Sequence, residues 1–318
     1  MHQTGGPEVL VWEDYDPGKP GAGEVRLRHT AVGLNYIDTY IRTGLYPNPG
    51  FPCVPGMEAA GVVEELGAGV SDLRVGDRVA YPSSLGAYAE VRTIPAEKVV
   101  KIPAGISDQT AAAMMLKGMT AQYLIRKTFP LKGGETILVH AAAGGVGLIL
   151  CQWASHLGAT VIGTVGSDEK AALAKSNGCK HTIVYTRENF TERVREITSG
   201  KGVPVVYDSA GKDTFMGSLD CLSPRGLMVS YGNASGPVPP FAIAQLAAKG
   251  SLYLTRPVLM HHIATHKDLV ATAADLIHAI SSGAVKISVH QTYPLKDAAQ
   301  AHRDLEARKT TGSTVLAV

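Results

Sequence analysis

Hydrophobic and polar positions alternate along the first third of the chain. Glu24-Val25-Arg26-Leu27-Arg28 and Ala87-Tyr88-Ala89-Glu90-Val91-Arg92 place every second side chain on an apolar face, the period of a half-buried strand. Pro and Gly turns such as Tyr46-Pro47-Asn48-Pro49-Gly50 separate these runs. Residues up to about 105 are therefore expected to form an irregular β-rich domain. After Pro103 the pattern changes. Ser107 is placed to cap a helix through the Ala-rich stretch Ala111 to Ile125. From Glu135 short apolar runs alternate with helix-spaced stretches: Ile137 to Val139, Val161 to Thr164, Thr182 to Val184, Val203 to Tyr207, Leu227 to Tyr231 and Leu252 to Leu254. Strands buried on both faces have this continuous apolar character, so the spacing predicts a βαβ series and a mostly parallel sheet. Beyond Met260 it predicts a helix over Lys267 to Ile280, a short strand pair, and a last helix over Asp297 to Arg308. That tail is expected to rejoin the first domain. The fold class is thus α/β, with a doubly wound domain over 119–259 and a discontinuous β-rich domain over 1–118 and 260–318.

Composition narrows the partners. The 318 residues have room for two domains, and 45% hydrophobic content supports large cores. Thirty Lys+Arg against 28 Asp+Glu leave a net +2, and no basic block interrupts the chain, so nucleic acid is not an expected partner. Small molecules are. Cys53, Cys151, Cys179 and Cys221 are scattered without a C-x-x-C pair, which gives neither a disulfide framework nor a zinc lobe. No signal-peptide pattern opens the chain, and the longest uncharged stretch, Gly226 to Ala248, is broken by Gly, Asn and Pro. The expectation is a soluble protein of the reducing cytoplasm with no membrane span.

The chemistry is concentrated in Ile137-Leu138-Val139-His140-Ala141-Ala142-Ala143-Gly144-Gly145-Val146-Gly147. A buried strand, a glycine turn and a helix follow in that order, the context in which a G-x-G-x-x-G pattern carries meaning. Ala142, Gly144 and Gly147 take the three fingerprint positions. Gly144 lets the backbone reach a pyrophosphate, and the helix behind it offers N–H groups and positive dipole. The next strand bears on the choice of nicotinamide. An acid would hold the ribose hydroxyls of NAD at its end, but Val165 stands there, followed by Ser167 and Lys170, which suit a 2′-phosphate. NADPH is favoured over the plainer reading of Ser167-Asp168-Glu169-Lys170 as a solvated helix start.

At this point the residues resemble a family. Gly56-Met57-Glu58-Ala59-Ala60-Gly61-Val62-Val63-Glu64-Glu65-Leu66-Gly67, the glycine turn, and Pro294-Leu295-Lys296-Asp297-Ala298 with Ala301-His302 and Leu305-Glu306 resemble the medium-chain dehydrogenase/reductases. Asn35-Tyr36-Ile37-Asp38-Thr39-Tyr40-Ile41-Arg42-Thr43-Gly44-Leu45-Tyr46 is similar to their zinc-independent, zeta-crystallin-like quinone oxidoreductase branch. Zinc members carry Gly-His-Glu and a Cys where this chain has Gly56-Met57-Glu58 and Asn35. A thioether and an amide do not replace imidazole and thiolate around Zn²⁺, so no metal is expected. The resemblance also implies a strand before Gly5-Gly6-Pro7-Glu8-Val9-Leu10, where only four residues stand.

By resemblance, the GroES-like first domain contributes Asn35, Tyr36, Asp38, Tyr40 and Tyr46 to NADPH binding, with Thr120 and Tyr123 just before the Rossmann strand. Gly144, Gly145 and Val146 meet the pyrophosphate, and Gly166, Ser167, Lys170 and Tyr185 surround the adenosine phosphate. Ser209, Tyr231, Gly232, Asn233, Ala234, Arg256, Pro257, Val258 and Arg308 complete the set. Tyr185 can also be read as a core strand residue, Arg308 as a helix-end charge and Tyr46 as a turn residue packed beside Pro47. Tyr46, Asn35 and Tyr40 are the implied donors to a substrate oxygen that gains charge as hydride arrives.

Other patterns are weaker. Tyr123-x-x-x-Lys127 precedes the glycine turn instead of following it, and His261, His262 and His266 lack a further metal ligand. No G-x-S-x-G elbow or Walker lysine loop is present. The leading expectation is NADPH-dependent quinone reduction in a cleft between the domains, by a homodimer joined near Leu252 to Leu254. The alternatives are an enone or alkene reductase and an NADPH-binding protein with little turnover, crystallin-like or RNA-binding.

Overall fold

The computed structural model describes residues 1 to 318. In chain order the first elements are β1 (Glu24–Leu34), α1 (Tyr36–Thr43), β2 (Glu58–Leu66), β3 (Arg78–Pro82), β4 (Val91–Pro95), β5 (Val100–Lys101) and α2 (Asp108–Tyr123). The alternating series follows: β6 (Thr136–Val139), α3 (Gly145–His156), β7 (Thr160–Val165), α4 (Asp168–Ser176), β8 (Cys179–Val184), α5 (Phe190–Ile197), β9 (Val203–Asp208), α6 (Phe215–Cys221) and β10 (Leu222–Ser230). Then come α7 (Ala244–Ala248), β11 (Tyr253–Thr255), α8 (Leu259–His262), α9 (His266–Ser281), β12 (Val289–Pro294), α10 (Ala298–Glu306) and β13 (Ser313–Ala317).

Two compact units result. The first comprises residues 1–119, 263–274 and 287–318. Its seven-stranded sheet runs β12-β13-β1-β2-β3-β5, with β4 paired to β1. Strand β1 is long enough to serve three partners: β4 and β2 along its first half, β2 and β13 along its second. Val25, Leu27, Val32, Val63, Val79, Tyr81 and Ile94 fill its core.

The second unit comprises 120–262 and 275–286. Its six strands are all parallel, in the order β11-β10-β9-β6-β7-β8, which is the doubly wound order with its switch point between β6 and β9. Ile137, Leu138, Val139, Val205, Val206 and Tyr207 are fully buried, as central parallel strands require. In such a sheet every carboxyl end lies at one end of the strands, and the loops there are the ones that carry sites.

Several sequence expectations are corrected. Ala87 to Glu90 is a loop: the Ala87 and Tyr88 N–H groups donate to Gly56 and Pro55 carbonyls, and pairing with β1 starts only at Val91. The expected strand pair before the last helix is a single strand, β12, whose parallel partner β13 follows α10. Strand β10 begins five residues before Leu227, but its pairing with β9 breaks between Leu222 and Leu227, where Arg225 has φ +60. Residues 1–4, where the resemblance implies a strand, form none, and a 3-10 turn over Pro7–Val9 precedes β1.

Candidate active site

In the second unit the site starts where β6 ends. Ala141 turns the chain with φ +51, and the Gly144 N–H donates back to the Ala141 carbonyl at 2.9 Å. Helix α3 then begins without any side-chain cap; its first intrahelical bond is Leu148 N–H to Gly144 O. The N–H groups of Gly145, Val146 and Gly147 therefore point out of the helix mouth with its positive dipole. A Cβ on Gly147 would stand 2.3 Å from the Ala141 carbonyl oxygen, whereas one on Gly144 would meet only that oxygen, at 3.1 Å. Gly147 thus serves helix–turn contact and Gly144 leaves the mouth open, the two duties a pyrophosphate cradle divides between its glycines. The residues fit a dinucleotide.

Beneath the turn lies a polar network that the sequence did not suggest. The buried His140 ring contacts Thr164 Oγ1 at 2.8 Å and Ser218 Oγ at 2.9 Å. Asp208 accepts from the Ala210 and Gly211 N–H groups and from the Thr214 and Ser218 hydroxyls. Burial lowers the His140 pKa, so the neutral ring ties β6 to β7 and α6. Only the polar residue at the end of an apolar strand hinted at it.

Most other candidates of this unit follow the carboxyl ends of its strands. After β7, Ser167 caps α4 by accepting the Lys170 N–H at 3.3 Å. After β8, Tyr185 is 39% exposed, so it is not a core residue; a Cβ on Gly166 would come within 2.9 Å of its hydroxyl. Ser209 follows β9, and its carbonyl accepts the Ala234 N–H at 3.1 Å. Tyr231, Gly232, Asn233 and Ala234 follow β10; a Cβ on Gly232 would meet the Ser209 carbonyl oxygen at 2.4 Å. Burial raises the Tyr231 pKa. Arg256 follows β11, donates to the Ser230 carbonyl at 2.8 Å, and leads into Pro257 and Val258. Thr120 and Tyr123 lie on α2, buried, with the Tyr123 ring stacked on His262 at 4.2 Å. That stacking and a 2.7 Å contact from His266 to the Glu97 carbonyl occupy two of the three histidines, and no group of three or more His, Cys, Asp or Glu is placed to hold a metal.

In the first unit, α1 and the loop after it carry the tyrosine cluster. Tyr36, Tyr40 and Tyr46 form a chain of rings with centroids 6.1 and 5.1 Å apart, and the Tyr46 N–H donates to the Tyr40 carbonyl. Tyr36 donates its hydroxyl to the Leu305 carbonyl at the end of α10. Arg308 follows that helix with φ +59. Asn35 caps α1 in a capping box with Asp38, whose carboxylate accepts the Asn35 N–H at 2.8 Å.

The Asn35 side-chain NH2 group has further partners. It donates to Glu58 Oε2 at 2.9 Å and to the Gly33 carbonyl at 3.4 Å. Glu58, fully buried, also accepts from Lys117 Nζ at 3.0 Å and from the Leu116 N–H at 2.7 Å. A lysine ammonium thus sits on the carboxylate, with an amide beside it and the Met57 thioether next in sequence. This donor set does not fit zinc.

A second buried chain went unseen in the sequence. Arg42, tied to Glu306 by two bonds of 2.9 and 2.7 Å, donates to His302 Nδ1 at 3.1 Å. Because Nδ1 accepts, Nε2–H donates to the Tyr88 hydroxyl at 2.9 Å, and Tyr88 donates to Asp38 at 3.1 Å. Burial pushes the Asp38 pKa up to about 7 and the His302 pKa, helped by Arg42, down to about 3.

The chain is similar to known proteins over nearly its whole length. Residues 21–104 match the family model described as alcohol dehydrogenase GroES-like domain, and residues 145–276 the one described as zinc-binding dehydrogenase. The chain is 56% identical to a quinone oxidoreductase of Pseudomonas aeruginosa, over 98% of this chain and 96% of that protein. It is 50% identical to a 2-haloacrylate reductase of a Burkholderia species, over 99% and 97% of the two chains. Its fold superposes with a TM-score of 0.98 on the crystal structure of Escherichia coli quinone oxidoreductase complexed with NADPH, at 50% identity, covering 100% of this chain and 98% of that one. With both units matched and the relatives covered nearly end to end, the chain belongs to the quinone oxidoreductase family of the medium-chain dehydrogenase/reductase superfamily.

Proposed function

We propose that this chain is an NADPH-dependent oxidoreductase that reduces quinones by hydride transfer without a metal. The observation that carries the reading is the uncapped N-terminus of α3 behind Gly144, in a chain so similar to a quinone oxidoreductase and to a structure solved with NADPH. NADPH, when bound, supplies the hydride. The N–H groups of Gly145, Val146 and Gly147 hold the pyrophosphate. Gly166, Ser167, Lys170 and Tyr185 receive the 2′-phosphate, and Val165 stands where a ribose-binding acid would favour NAD. Thr120, Tyr123, Ser209, Tyr231 to Ala234, Arg256 to Val258 and Arg308 line the remainder, with Asn35, Tyr36 and Asp38 supporting the nicotinamide end.

Negative charge grows on the quinone oxygen as hydride arrives, and hydroxyl donors aimed at it lower the barrier. Tyr46 and Tyr40 fill that role. Both Asn35 amide hydrogens are engaged by Glu58 and Gly33, so Asn35 acts by holding the start of α1, from which Tyr40 projects. An electron-poor quinone needs no strong acid, and water completes protonation. Metal-free chemistry is the reading that the Glu58 site supports, since Lys117 places a positive charge on this carboxylate. We further propose a homodimer joined through the β11 edge, in a reducing cytoplasm that suits four unpaired cysteines. No helix is long and apolar enough to cross a membrane.

The test is oxidation of NADPH and of NADH at 340 nm with 1,4-benzoquinone and with a 2-enone, after exhaustive chelation. Turnover that resists chelation, prefers NADPH and has the larger kcat/KM on the quinone is the expected result. A larger kcat/KM on the enone establishes the second reading, double-bond reduction, which the 2-haloacrylate reductase relative favours. A preference for NADH overturns the 2′-phosphate assignment. NADPH binding with no turnover on either acceptor leaves a binding protein.

A further inference from the structure

The loops after β7 and β8 bring together two charged residues that the cofactor set above leaves out. Asp168 is the first residue of α4, directly after Ser167. Arg187 lies two residues beyond Tyr185, in a turn held by its own N–H to the Val184 carbonyl at 3.1 Å and by the Thr186 hydroxyl to the Gly166 carbonyl at 3.4 Å. The guanidinium closes on the Asp168 carboxylate with two parallel bonds, Nη1 to Oδ2 at 2.6 Å and Nη2 to Oδ1 at 2.5 Å. Side-chain exposure is 57% for Arg187 and 67% for Asp168, so the pair faces solvent beside Ser167 and Tyr185. It serves no buried group.

An exposed ion pair contributes little to folding, and its partners exchange readily. The guanidinium fork that grips a carboxylate with two bonds matches two oxygens of a phosphate equally well, and a phosphate monoester carries more charge. We infer that Arg187 is the specificity-determining cation for the 2′-phosphate of NADPH, exchanging its Asp168 carboxylate for the phosphate, and that Asp168 sets the affinity by competing for the same fork. This rests on the reading that Ser167, Lys170 and Tyr185 surround that phosphate. Asp168 thereby has two functions. It keeps the guanidinium ordered over the loop when the site is empty, and its charge opposes a second anion, which limits how tightly the cofactor is retained. Glu188 is engaged elsewhere, with the Val184 N–H and Arg193, so it does not draw Arg187 away.

Calorimetric titration of the full chain with adenosine 2′,5′-bisphosphate and with 5′-AMP tests the exchange without turnover. Wild type should favour the bisphosphate. In Arg187→Gln the bisphosphate should weaken by about tenfold or more, the size expected for a charge-assisted pair, while 5′-AMP stays within about twofold. Asp168→Asn keeps a carbonyl acceptor for Arg187 but removes the competing charge, so the bisphosphate should tighten. If wild type discriminates but Arg187→Gln leaves the ratio unchanged, or if Asp168→Asn weakens the bisphosphate, the inference is overturned and the cofactor reading stands. If wild type itself does not distinguish the two ligands, both fail.

Discussion

His302 shows how one buried side chain sets the response of the fold to acid. Its ring accepts from Arg42 at Nδ1 and donates to Tyr88 at Nε2, so a second proton has no acceptor and faces a guanidinium. Burial, then Arg42, hold its pKa down at about 3; burial, outweighing a bond to the Ala89 carbonyl, holds that of His29 at about 4. Both titrate near 6.5 when unfolded. The stability each contributes is complete above that value and is lost as pH falls toward the folded pKa, because below 6.5 the unfolded chain binds protons that the folded chain refuses. Asp38 works in the opposite sense. Its folded pKa of about 7 lies above the unfolded value of 3.8, so its contribution is present in acid and declines as pH rises through about 7. With His140 also held low by burial, the histidines outnumber the one aspartate, and stability falls from pH 6 to pH 5. His302→Gln should remove one proton from that dependence, about 1.4 kcal/mol per pH unit. Urea denaturation at several pH values measures it, and an unchanged slope would contradict a neutral His302.

Among the elements, the strand–turn–helix of β6 and α3 was the most legible in sequence, because its chemistry is local. A buried run, three small residues and two glycines at fixed spacing state what the backbone must do. The structure separates the glycines' roles in a way that spacing did not. A methyl group on Gly147 collides with the backbone at Ala141 and Ala142, whereas Gly144, with φ −82 and one contact at 3.1 Å, accepts it. Gly147→Ala should therefore cost about 1–3 kcal/mol and abolish NADPH binding together with the turn. Gly144→Ala should stay within about 0.5 kcal/mol of wild type and still weaken NADPH, since its methyl narrows the helix mouth; thermal melts with and without NADPH distinguish the two. What could not be read ahead joins distant residues. Tyr88 reaches Asp38 and His302, which lie 50 and 214 positions away. The alternation from Ala87 to Arg92 resembled a strand because Ala87 and Ala89 are both buried, while those contacts of Tyr88 hold the segment as a loop. Likewise the apolar pattern of β12 said nothing of its partner, which is β13, parallel and beyond a helix.

For the whole molecule, the sequence pattern located the change from alternating to continuous apolar runs, and thus two units, but said little about their edges. The parallel sheet has two. Strand β8 carries the exposed Lys180 and the half-buried His181, charges and polar groups of the kind that discourage another strand from adding. Strand β11 carries none. Its three residues Tyr253, Leu254 and Thr255 bear no charge, and Tyr253 is 62% and Leu254 38% exposed. An uncharged, apolar, exposed edge is a liability in a monomer and an interface when a two-fold axis pairs it with its own copy. A homodimer formed in this way joins two six-stranded sheets and covers both Tyr253 rings. Sedimentation equilibrium should then give about twice the 33.4 kDa of one chain. Replacing both Tyr253 and Leu254 with Lys should return the monomer mass while NADPH still binds, because neither side chain belongs to the cofactor set. A wild-type mass of one chain at every concentration would rule out the β11 pairing, and a dimer that survives the double substitution would place the interface elsewhere.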